Sequence, residues 1–257
     1  LKEGDWITLN GSTGNVYAGK IPLKVADLQS NIFFKKLMEL VDKHRAMGVR
    51  TNADSPIEAK QALEFGAQGI GLCRTEHMFF NPERIISIRE MIIAENEEDR
   101  RKAIMKLLSH QKSDFYEILK TMAPYPVTIR LLDPPLHEFL PQENSQIQEL
   151  AQALNMSRNK LDARIAYLHE LNPMLGHRGC RLGISYPEIT EMQARAIFEA
   201  TAELIMEGIT PYPEVMVPLV GSVAEFIHQR EIIDSMANQV QEEKKVKIDY
   251  LVGTMIE

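Results

Sequence analysis

The sequence predicts an α/β protein: a (β/α)8 TIM-type barrel, truncated after about its sixth strand and preceded by a short β segment and a linker helix. The first observation is that short apolar runs, typical of buried strands, alternate along the chain with segments of helical periodicity. The second is that three apolar runs, within residues 69–80, 127–133 and 250–257, end in charged side chains. Charged groups at the ends of separate buried strands are typical of the mouth of a barrel enzyme.

Composition indicates a folded globular protein without a general affinity for nucleic acid. Hydrophobic residues make up 44% and charged residues 25% of the 257 residues, which is close to the globular average. The formal net charge is −7, and the sequence has no basic tail or Lys/Arg cluster that argues for nucleic acid. Attraction to a phosphate backbone is therefore not expected. An anionic small substrate would therefore have to be bound by a local group of arginines.

The cysteines and the chain ends predict a cytoplasmic fragment with no membrane span. Cys73 and Cys180 form no CxxC pair, so neither a zinc site nor a disulfide framework is expected. No apolar run of membrane-spanning length occurs, and the N-terminus lacks the apolar core of a signal peptide. The chain does not begin with methionine and stops directly after an apolar run, so we expect a piece of a longer polypeptide.

The first elements in order are a hairpin, a helix and a βαβ unit. Asn10-Gly11 between two apolar runs is a hairpin signal, and residues 22–47 then show helical spacing of apolar side chains. Residues 48–52 form a short strand candidate. Ser55-Pro56 is a typical helix start, and the helix over 57–65 leads into a strand over 69–73. This unit is short enough to be a parallel crossover.

The remaining elements continue the alternation of strands and helices. The pattern predicts helical segments over 83–122, 143–170 (an insertion on the rim), 189–207 and 223–240. It predicts strands over 127–132, 215–218 and 247–256, and a polar loop or strand end over 172–179. Counting that last segment gives about six strands, whereas eight close a barrel.

Three arginines stand where a barrel site is expected: Arg74, Arg130 and Arg178. The planar guanidinium pairs bidentately with phosphate or carboxylate and keeps its charge, so three arginines converging on one mouth would suit a small anion. The alternative is that each pairs with a local acid: Arg74 with Glu76, Arg130 with Asp133, and Arg178 with an acid on the rim. Sequence alone leaves both interpretations open.

Glu257 follows an apolar run, so its carboxylate is expected at a strand tip, where it could hold Mg²⁺ or simply face solvent. His77, His137 and His177 each lie beside an arginine or an acid. Supporting hydrogen bonds are a simpler role for them than acid–base catalysis. Cys73 lies one residue inside a strand tip and is expected to be packing rather than a nucleophile.

Three motifs resemble the pyruvate, phosphate dikinase family of phosphoenolpyruvate-utilising enzymes. They are residues 71–80 (GLCRTEHMFF), 132–141 (LDPPLHEFLP) and 172–182 (NPMLGHRGCRL). The resemblance runs over essentially the whole chain. It implies that residues 1–22 end a phosphohistidine (swivelling) domain, that 23–46 form a linker helix, and that 47–257 begin the pyruvate/phosphoenolpyruvate-binding barrel.

The resemblance also implies a reaction. ATP, phosphate and pyruvate are interconverted with AMP, diphosphate and phosphoenolpyruvate (PEP) through a phosphohistidine. It implies that Arg74, Arg130, Arg178 and Glu257 bind substrate, and that Glu257 holds Mg²⁺. The implied partners are the phosphohistidine domain of the same chain and a second copy in a homodimer.

The resemblance further implies that this fragment is inactive alone, because the phosphohistidine, the second metal carboxylate and the proton-donor cysteine lie outside it. No catalytic residue is therefore expected within the chain. Three alternatives remain: PEP synthase, the first enzyme of the sugar phosphotransferase system, and a non-catalytic remnant that binds PEP. The loop at 133–139 and the run at 177–181 favour the dikinase.

Overall fold

The computed structural model describes residues 1–23 and 31–257. The chain divides into two compact units, residues 1–47 and residues 48–257, and each is described by itself. No helix among the described residues is long and apolar enough to cross a membrane.

The first unit contains the predicted hairpin. Strands β1 (Ile7–Asn10) and β2 (Asn15–Ala18) pair antiparallel. The side chain of Asn10 accepts hydrogen bonds from the backbone N–H groups of Ser12 and Thr13, which folds the connecting turn. The hairpin predicted from Asn10-Gly11 is confirmed.

Helix α1 (Ile32–His44) is shorter than the helix predicted over 22–47. Asn31 is extended and its side chain accepts from the Phe34 N–H at 3.0 Å, so the helix begins at this cap. Its C-terminal end is set by Arg45, which is again extended. Residues 22–23 and 45–47 are not helical, and the predicted part over 24–30 lies outside the described residues.

The second unit is built on a five-stranded parallel sheet whose strands are ordered as in the sequence. The strands are β3 (Thr51–Asn52), β4 (Ile70–Arg74), β5 (Pro126–Arg130), β6 (Tyr212–Val217) and β7 (Leu251–Thr254). Sequential neighbours joined by helices are the arrangement of a barrel wall. The structure is therefore a partial TIM-type barrel, as the sequence predicts.

The second unit, whose residues 48–257 are all described, also contains nine α-helices. In order they are α2 (Pro56–Glu64), α3 (Pro82–Ile93), α4 (Glu97–Met105), α5 (Leu108–Met122), α6 (Asn144–Ala153), α7 (Arg158–Leu168), α8 (Gly179–Ser185), α9 (Pro187–Met206) and α10 (Val223–Lys244). Val127 and Ile129 of β5 are fully buried in the same core cluster as side chains of α5 and α9. Because side chains alternate along a strand, Thr128 and Arg130 point to the opposite face. The charged end of β5 is thereby separated from the helical core.

Two predicted segments need correction. The segment 172–179, counted as a sixth strand candidate, is a 3-10 turn over Pro173–Leu175 followed by helix α8. The Asn172 side chain accepts from the Met174 N–H at 3.0 Å and closes this turn locally. The helical stretch predicted over 83–122 is three helices, because α3 ends at Ile93 and Asn96 caps a new helix.

The insertion predicted over 143–170 is helical and consists of α6 and α7. Its apolar side chains belong to a second buried cluster, together with Leu132, Leu136 and Phe139, which follow β5. The insertion therefore packs over the loop that leaves the carboxyl end of β5.

Candidate functional site

Arg74 and Arg130 are neighbours at the carboxyl edge of the sheet. Arg74 is the last residue of β4 and Arg130 is the last residue of β5, and the two are register partners in the parallel ladder. β4 is followed directly by Thr75 and Glu76, whereas two buried apolar residues, Leu131 and Leu132, lie between β5 and Asp133. The predicted position of these two arginines at strand ends is confirmed.

Arg178 reaches the same place from a different element. It precedes helix α8 as its N-cap residue, so the prediction that it ends a strand is wrong. Its guanidinium nevertheless contacts the loop after β5: Nη2 lies 2.5 Å from Asp133 Oδ2, and Nε lies 3.3 Å from Asp133 Oδ1. The structure therefore brings Arg74, Arg130 and Arg178 to one edge, and we call these three residues the arginine cluster.

The following glycine lets Arg178 approach Asp133. The Gly179 N–H donates to the Asp133 carbonyl oxygen at 2.9 Å, and Gly179 has a φ of +57°. A Cβ atom at this position would lie 2.7 Å from the Leu219 Cβ. Only glycine combines this backbone conformation with so close a contact.

Asp133 and Glu76 fix the Arg130 side chain. Arg130 Nη1 lies 2.9 Å from Asp133 Oδ2, and Arg130 Nη2 lies 2.5 Å from Glu76 Oε1. All three side chains are largely buried; that of Arg130 is 11% exposed. The predicted local pair of Arg130 with Asp133 is present. The suggested pair of Arg74 with Glu76 is wrong, because Glu76 binds the arginine of the neighbouring strand.

Asp54, which follows β3, supports Arg74. Its Oδ1 accepts the Arg74 backbone N–H at 2.6 Å, and its Oδ2 lies 2.8 Å from His77 Nδ1. The Arg74 guanidinium is held less tightly, since Nη1 lies 3.6 Å from Asp54 Oδ2 and the side chain is 34% exposed. Arg74 is therefore the member of the arginine cluster that is most accessible to an anion. His77 makes the supporting hydrogen bond that was expected of it.

The arginine cluster is electrically balanced by its neighbours. Three guanidinium groups face three carboxylates, and the formal charges, +3 and −3, sum to zero. The carboxylates belong to Asp54, Glu76 and Asp133. A bound anion would add negative charge here, so it would compete with these carboxylates for the guanidinium groups.

Glu257 is not brought into this group of contacts. It is exposed and lies three residues beyond the end of β7 at Thr254. Met255 is the residue of this segment that reaches the cluster, with its Sδ 3.7 Å from Arg130 Nη1. Within residues 1–23 and 31–257, no group of three or more His, Cys, Asp or Glu side chains is placed to hold a metal ion.

Both cysteines are packing residues. Burial raises the pKa of the Cys73 thiol, and the nearby Asp54 and Glu76 carboxylates raise that pKa further. Burial is also the largest cause that raises the pKa of Cys180. A thiol must ionise to act as a nucleophile, so neither cysteine is activated. The expectation that Cys73 serves in packing agrees with its complete burial.

A buried polar network behind the cluster was not anticipated from the sequence. The Gln193 amide on α9 hydrogen-bonds with the Leu132 N–H, the Thr75 hydroxyl and the Gln111 amide. The only available sequence signal is periodicity, because Gln193 lies on the same helix face as Ile189 and other buried apolar residues. A glutamine on a core-facing stripe needs a hydrogen-bonding partner, but its position does not say which.

Comparison with known proteins identifies the family of this chain. The family model described as "PEP-utilising enzyme, PEP-binding domain" matches residues 29–257. Pyruvate, phosphate dikinase of Rhizobium meliloti is 54% identical over 100% of this chain and 28% of its own length. The chloroplastic pyruvate, phosphate dikinase 1 of Oryza sativa subsp. japonica is 52% identical over 100% of the chain and 27% of its own length. Pyruvate, phosphate dikinase of Clostridium symbiosum is 46% identical over 99% of the chain and 29% of its own length.

The chain thus spans between a quarter and a third of the length of these relatives. Four-fifths or more of the chain lies within the family match, which includes every member of the arginine cluster. The family expected from the three sequence motifs is confirmed. The chain belongs to the PEP-binding domain family of the PEP-utilising enzymes.

Proposed function

We propose that this chain supplies the pyruvate/PEP site of a pyruvate, phosphate dikinase. The whole enzyme would interconvert ATP, phosphate and pyruvate with AMP, diphosphate and PEP through a phosphohistidine. The observation that carries the proposal is the arginine cluster, which gathers Arg74, Arg130 and Arg178 at one sheet edge inside the matched PEP-binding domain. The names of the relatives support the same activity.

The arginines would bind the anionic groups of the substrate. PEP carries a phosphoryl group and a carboxylate, and both suit the forked donors of guanidinium groups. Arg74 is the first to engage, because its 3.6 Å contact with Asp54 is longer than a hydrogen bond and its side chain is partly exposed. Arg130 and Arg178 are already oriented by Asp133, so little side-chain entropy is lost when they bind.

Phosphoryl transfer is mostly positioning and neutralisation of charge, which such a preorganised group of donors supplies. The acids around the cluster prevent three like charges from repelling one another before substrate arrives. When PEP binds, its oxygens accept some of the hydrogen bonds that these carboxylates accept in its absence. The chain therefore binds and orients substrate, while the phosphohistidine and the proton donor come from elsewhere in the enzyme.

The proposal includes Mg²⁺, which the described residues fit only in part. Mg²⁺ prefers oxygen ligands and often takes one or two carboxylates together with water and substrate oxygens. Glu257 supplies one exposed carboxylate, whereas Asp54 and Asp133 already accept from basic groups. We assign Glu257 as the ligand from this chain. The bound ion would stabilise the enolate form of pyruvate as a Lewis acid.

The domain limits and partners belong to the same proposal. Residues 1–22 would end a phosphohistidine domain, 23–46 would be the linker and 47–257 the barrel. The separation of the described chain into units 1–47 and 48–257 supports the boundary between the linker and the barrel. The partners would be the phosphohistidine domain and a second copy bound through the barrel. The location would be cytoplasmic, although the names of several plant relatives say chloroplastic.

Calorimetric titration of this chain with PEP, with and without Mg²⁺, tests the proposal. Arg74→Ala and Arg130→Ala are expected to weaken binding at least tenfold, or about 1.4 kcal/mol, because each removes charge-assisted hydrogen bonds. Arg50→Ala is the matched control. Arg50 is also partly exposed and ion-paired, with Glu214 at 2.5 Å, but it lies at the amino end of the same sheet.

Unchanged affinity in Arg50→Ala together with the two losses supports the assignment. Equal losses in all three variants would mean that PEP responds to overall charge or folding rather than to the arginine cluster. If neither this chain nor a longer protein that contains it binds PEP, the proposed function is wrong.

A further inference from the structure

We propose that Gln193 is a positioning residue for the arginine cluster. It lies in helix α9, outside the strand ends that carry the arginines, and is fully buried. We infer that its amide ties the carboxyl ends of β4 and β5 to this helix and so sets where Arg74 and Arg130 point. The inference rests on the proposed function for its binding readout, and a second readout below is independent of any ligand.

Both polar atoms of the Gln193 amide are hydrogen-bonded. Its Oε1 accepts the Leu132 N–H at 2.8 Å, and its Nε2 donates to Thr75 Oγ1 at 2.9 Å and to Gln111 Oε1 at 3.0 Å. The orientation of the amide is fixed, because a backbone N–H can donate only to the oxygen and the Gln111 oxygen can only accept. Gln193 therefore has one arrangement that satisfies all its partners.

Thr75 passes this constraint to Arg130. The Thr75 hydroxyl accepts from Gln193 and donates to the Arg130 carbonyl oxygen at 3.0 Å. Thr75 directly follows Arg74, and Leu132 follows Arg130 by two residues. Gln193 is thus hydrogen-bonded to the segment that follows Arg74 and to the segment that follows Arg130. Arg74 and Arg130 are the last register partners of the β4–β5 ladder.

The hydrogen bonds of Gln193 differ from those of a buried glutamine that has no link to the strand ends. Gln229 on α10 provides the comparison, since it is equally buried and accepts from Thr190 Oγ1 at 2.8 Å. Its other partner is His228 Nδ1 at 3.2 Å. Neither bond of Gln229 involves β4, β5 or the residues that follow them. Removing either glutamine amide should destabilise the fold, but only the loss of Gln193 should disturb Arg74 and Arg130.

The first measurement is PEP affinity by calorimetry for Gln193→Met and Gln229→Met, at a temperature where circular dichroism shows both to be folded. Gln193→Met removes the hydrogen bonds that hold the two strand ends, so we expect about a tenfold loss of affinity or more for this variant. Gln229→Met should bind within about twofold of wild type. Equal affinities for the two folded variants would overturn the inference.

Thr75 gives a second route if Gln193→Met does not fold. Thr75→Val keeps the volume but removes the hydroxyl that joins Gln193 to the Arg130 carbonyl, whereas Thr75→Ser keeps that hydroxyl. We expect weakened PEP binding in Thr75→Val and wild-type binding in Thr75→Ser. Equal losses in both would show that packing of the methyl group matters and would contradict the hydrogen-bonded link.

The ligand-independent readout is the NMR signal of the arginine Nε–H groups in the free chain, assigned with Arg74→Lys and Arg130→Lys. Gln193→Met should shift the Arg130 signal, and Gln229→Met should leave it in place. If the signal shifts while the wild-type chain binds no PEP, the positioning role holds and the proposed function fails. If the signal stays unchanged in Gln193→Met, the positioning role is wrong whether or not PEP binds.

Discussion

Replacing Gly179 by alanine tests whether the site depends on the close approach of α8 to the sheet. Two costs add at this position. A non-glycine residue in the left-handed region costs about 1–2 kcal/mol, and φ here is +57°. The new Cβ would lie 2.7 Å from Leu219 Cβ and 3.2 Å from the Pro218 carbonyl oxygen, well inside the optimal carbon–carbon separation of about 3.5–4.0 Å.

Relieving this contact requires the start of α8 to move away from the loop after β6, and overpacking of this kind costs about 1–3 kcal/mol. We therefore expect Gly179→Ala to lower the free energy of unfolding by about 2–5 kcal/mol. Gly208→Ala is the matched control, because Gly208 has a φ of +80° but no atom within 4 Å of a built Cβ. It should cost only about 1–2 kcal/mol.

Urea denaturation followed by circular dichroism measures both variants. The unfolding midpoint should fall more for Gly179→Ala than for Gly208→Ala, with similar denaturant slopes. PEP affinity should also fall in the first variant, since Arg178 adjoins Gly179 and must move with it. Equal midpoints for the two variants would refute the reasoning from close contact, because their backbone conformations are alike and only the packing differs.

Three further predictions concern other parts of the second unit. Burial alone would raise the pKa of Glu214, but hydrogen bonds, chiefly from Arg50, outweigh it and lower the pKa below the ordinary value of 4.5. A lowered folded-state pKa stabilises the fold above the unfolded pKa, and this contribution is lost as the pH falls. Glu214→Gln should therefore be less stable than wild type at pH 7, with a gap that narrows below about pH 4.5; a constant gap would contradict this. Iodoacetamide at pH 8 should label Cys73 and Cys180 much more slowly in the folded chain than in urea, because burial raises the pKa of both thiols; fast labelling of the folded chain would refute their burial. Ser222→Ala removes the side chain that caps α10 and should cost about 1 kcal/mol in urea denaturation, and no change would show that the capping box contributes little.

The strand ends could be predicted from the sequence because the signal is local. Arg74 and Arg130 directly follow apolar runs, so each is expected at the end of a buried strand. Arg178 was predicted for the right edge but on the wrong element. Its neighbours, Pro173 and Gly179, form a turn and a helix start rather than a strand. Neither the residue type of Arg178 nor its separation from the other motifs in the sequence distinguishes a strand end from a helix start.

The partners of the arginines depended on the sheet order, which one sequence does not state. Glu76 is two residues from Arg74 but binds Arg130, 54 positions away, because β4 and β5 are neighbours. Asp54 reaches Arg74 for the same reason, across β3 and β4. Local separation therefore misassigned one pair.

The hydrogen-bond partners of Gln193 were even harder to predict from the sequence. Its partners, Thr75, Gln111 and Leu132, come from three distant segments that only the packed fold brings together. The proposed role of Glu257 stays a prediction, since its surroundings are not set by the described contacts.

The balanced charge of the arginine cluster has a consequence for how fast a ligand could be captured. Electrostatic steering needs a field that extends well beyond the site, and here each guanidinium is neutralised by a carboxylate within 3.6 Å. The chain as a whole carries a formal charge of −7, which repels an incoming trianion at long range. Encounter would therefore be no faster than for a neutral solute, and added salt should slightly speed association instead of slowing it. Selection among anions would then occur after contact, through the dissociation rate.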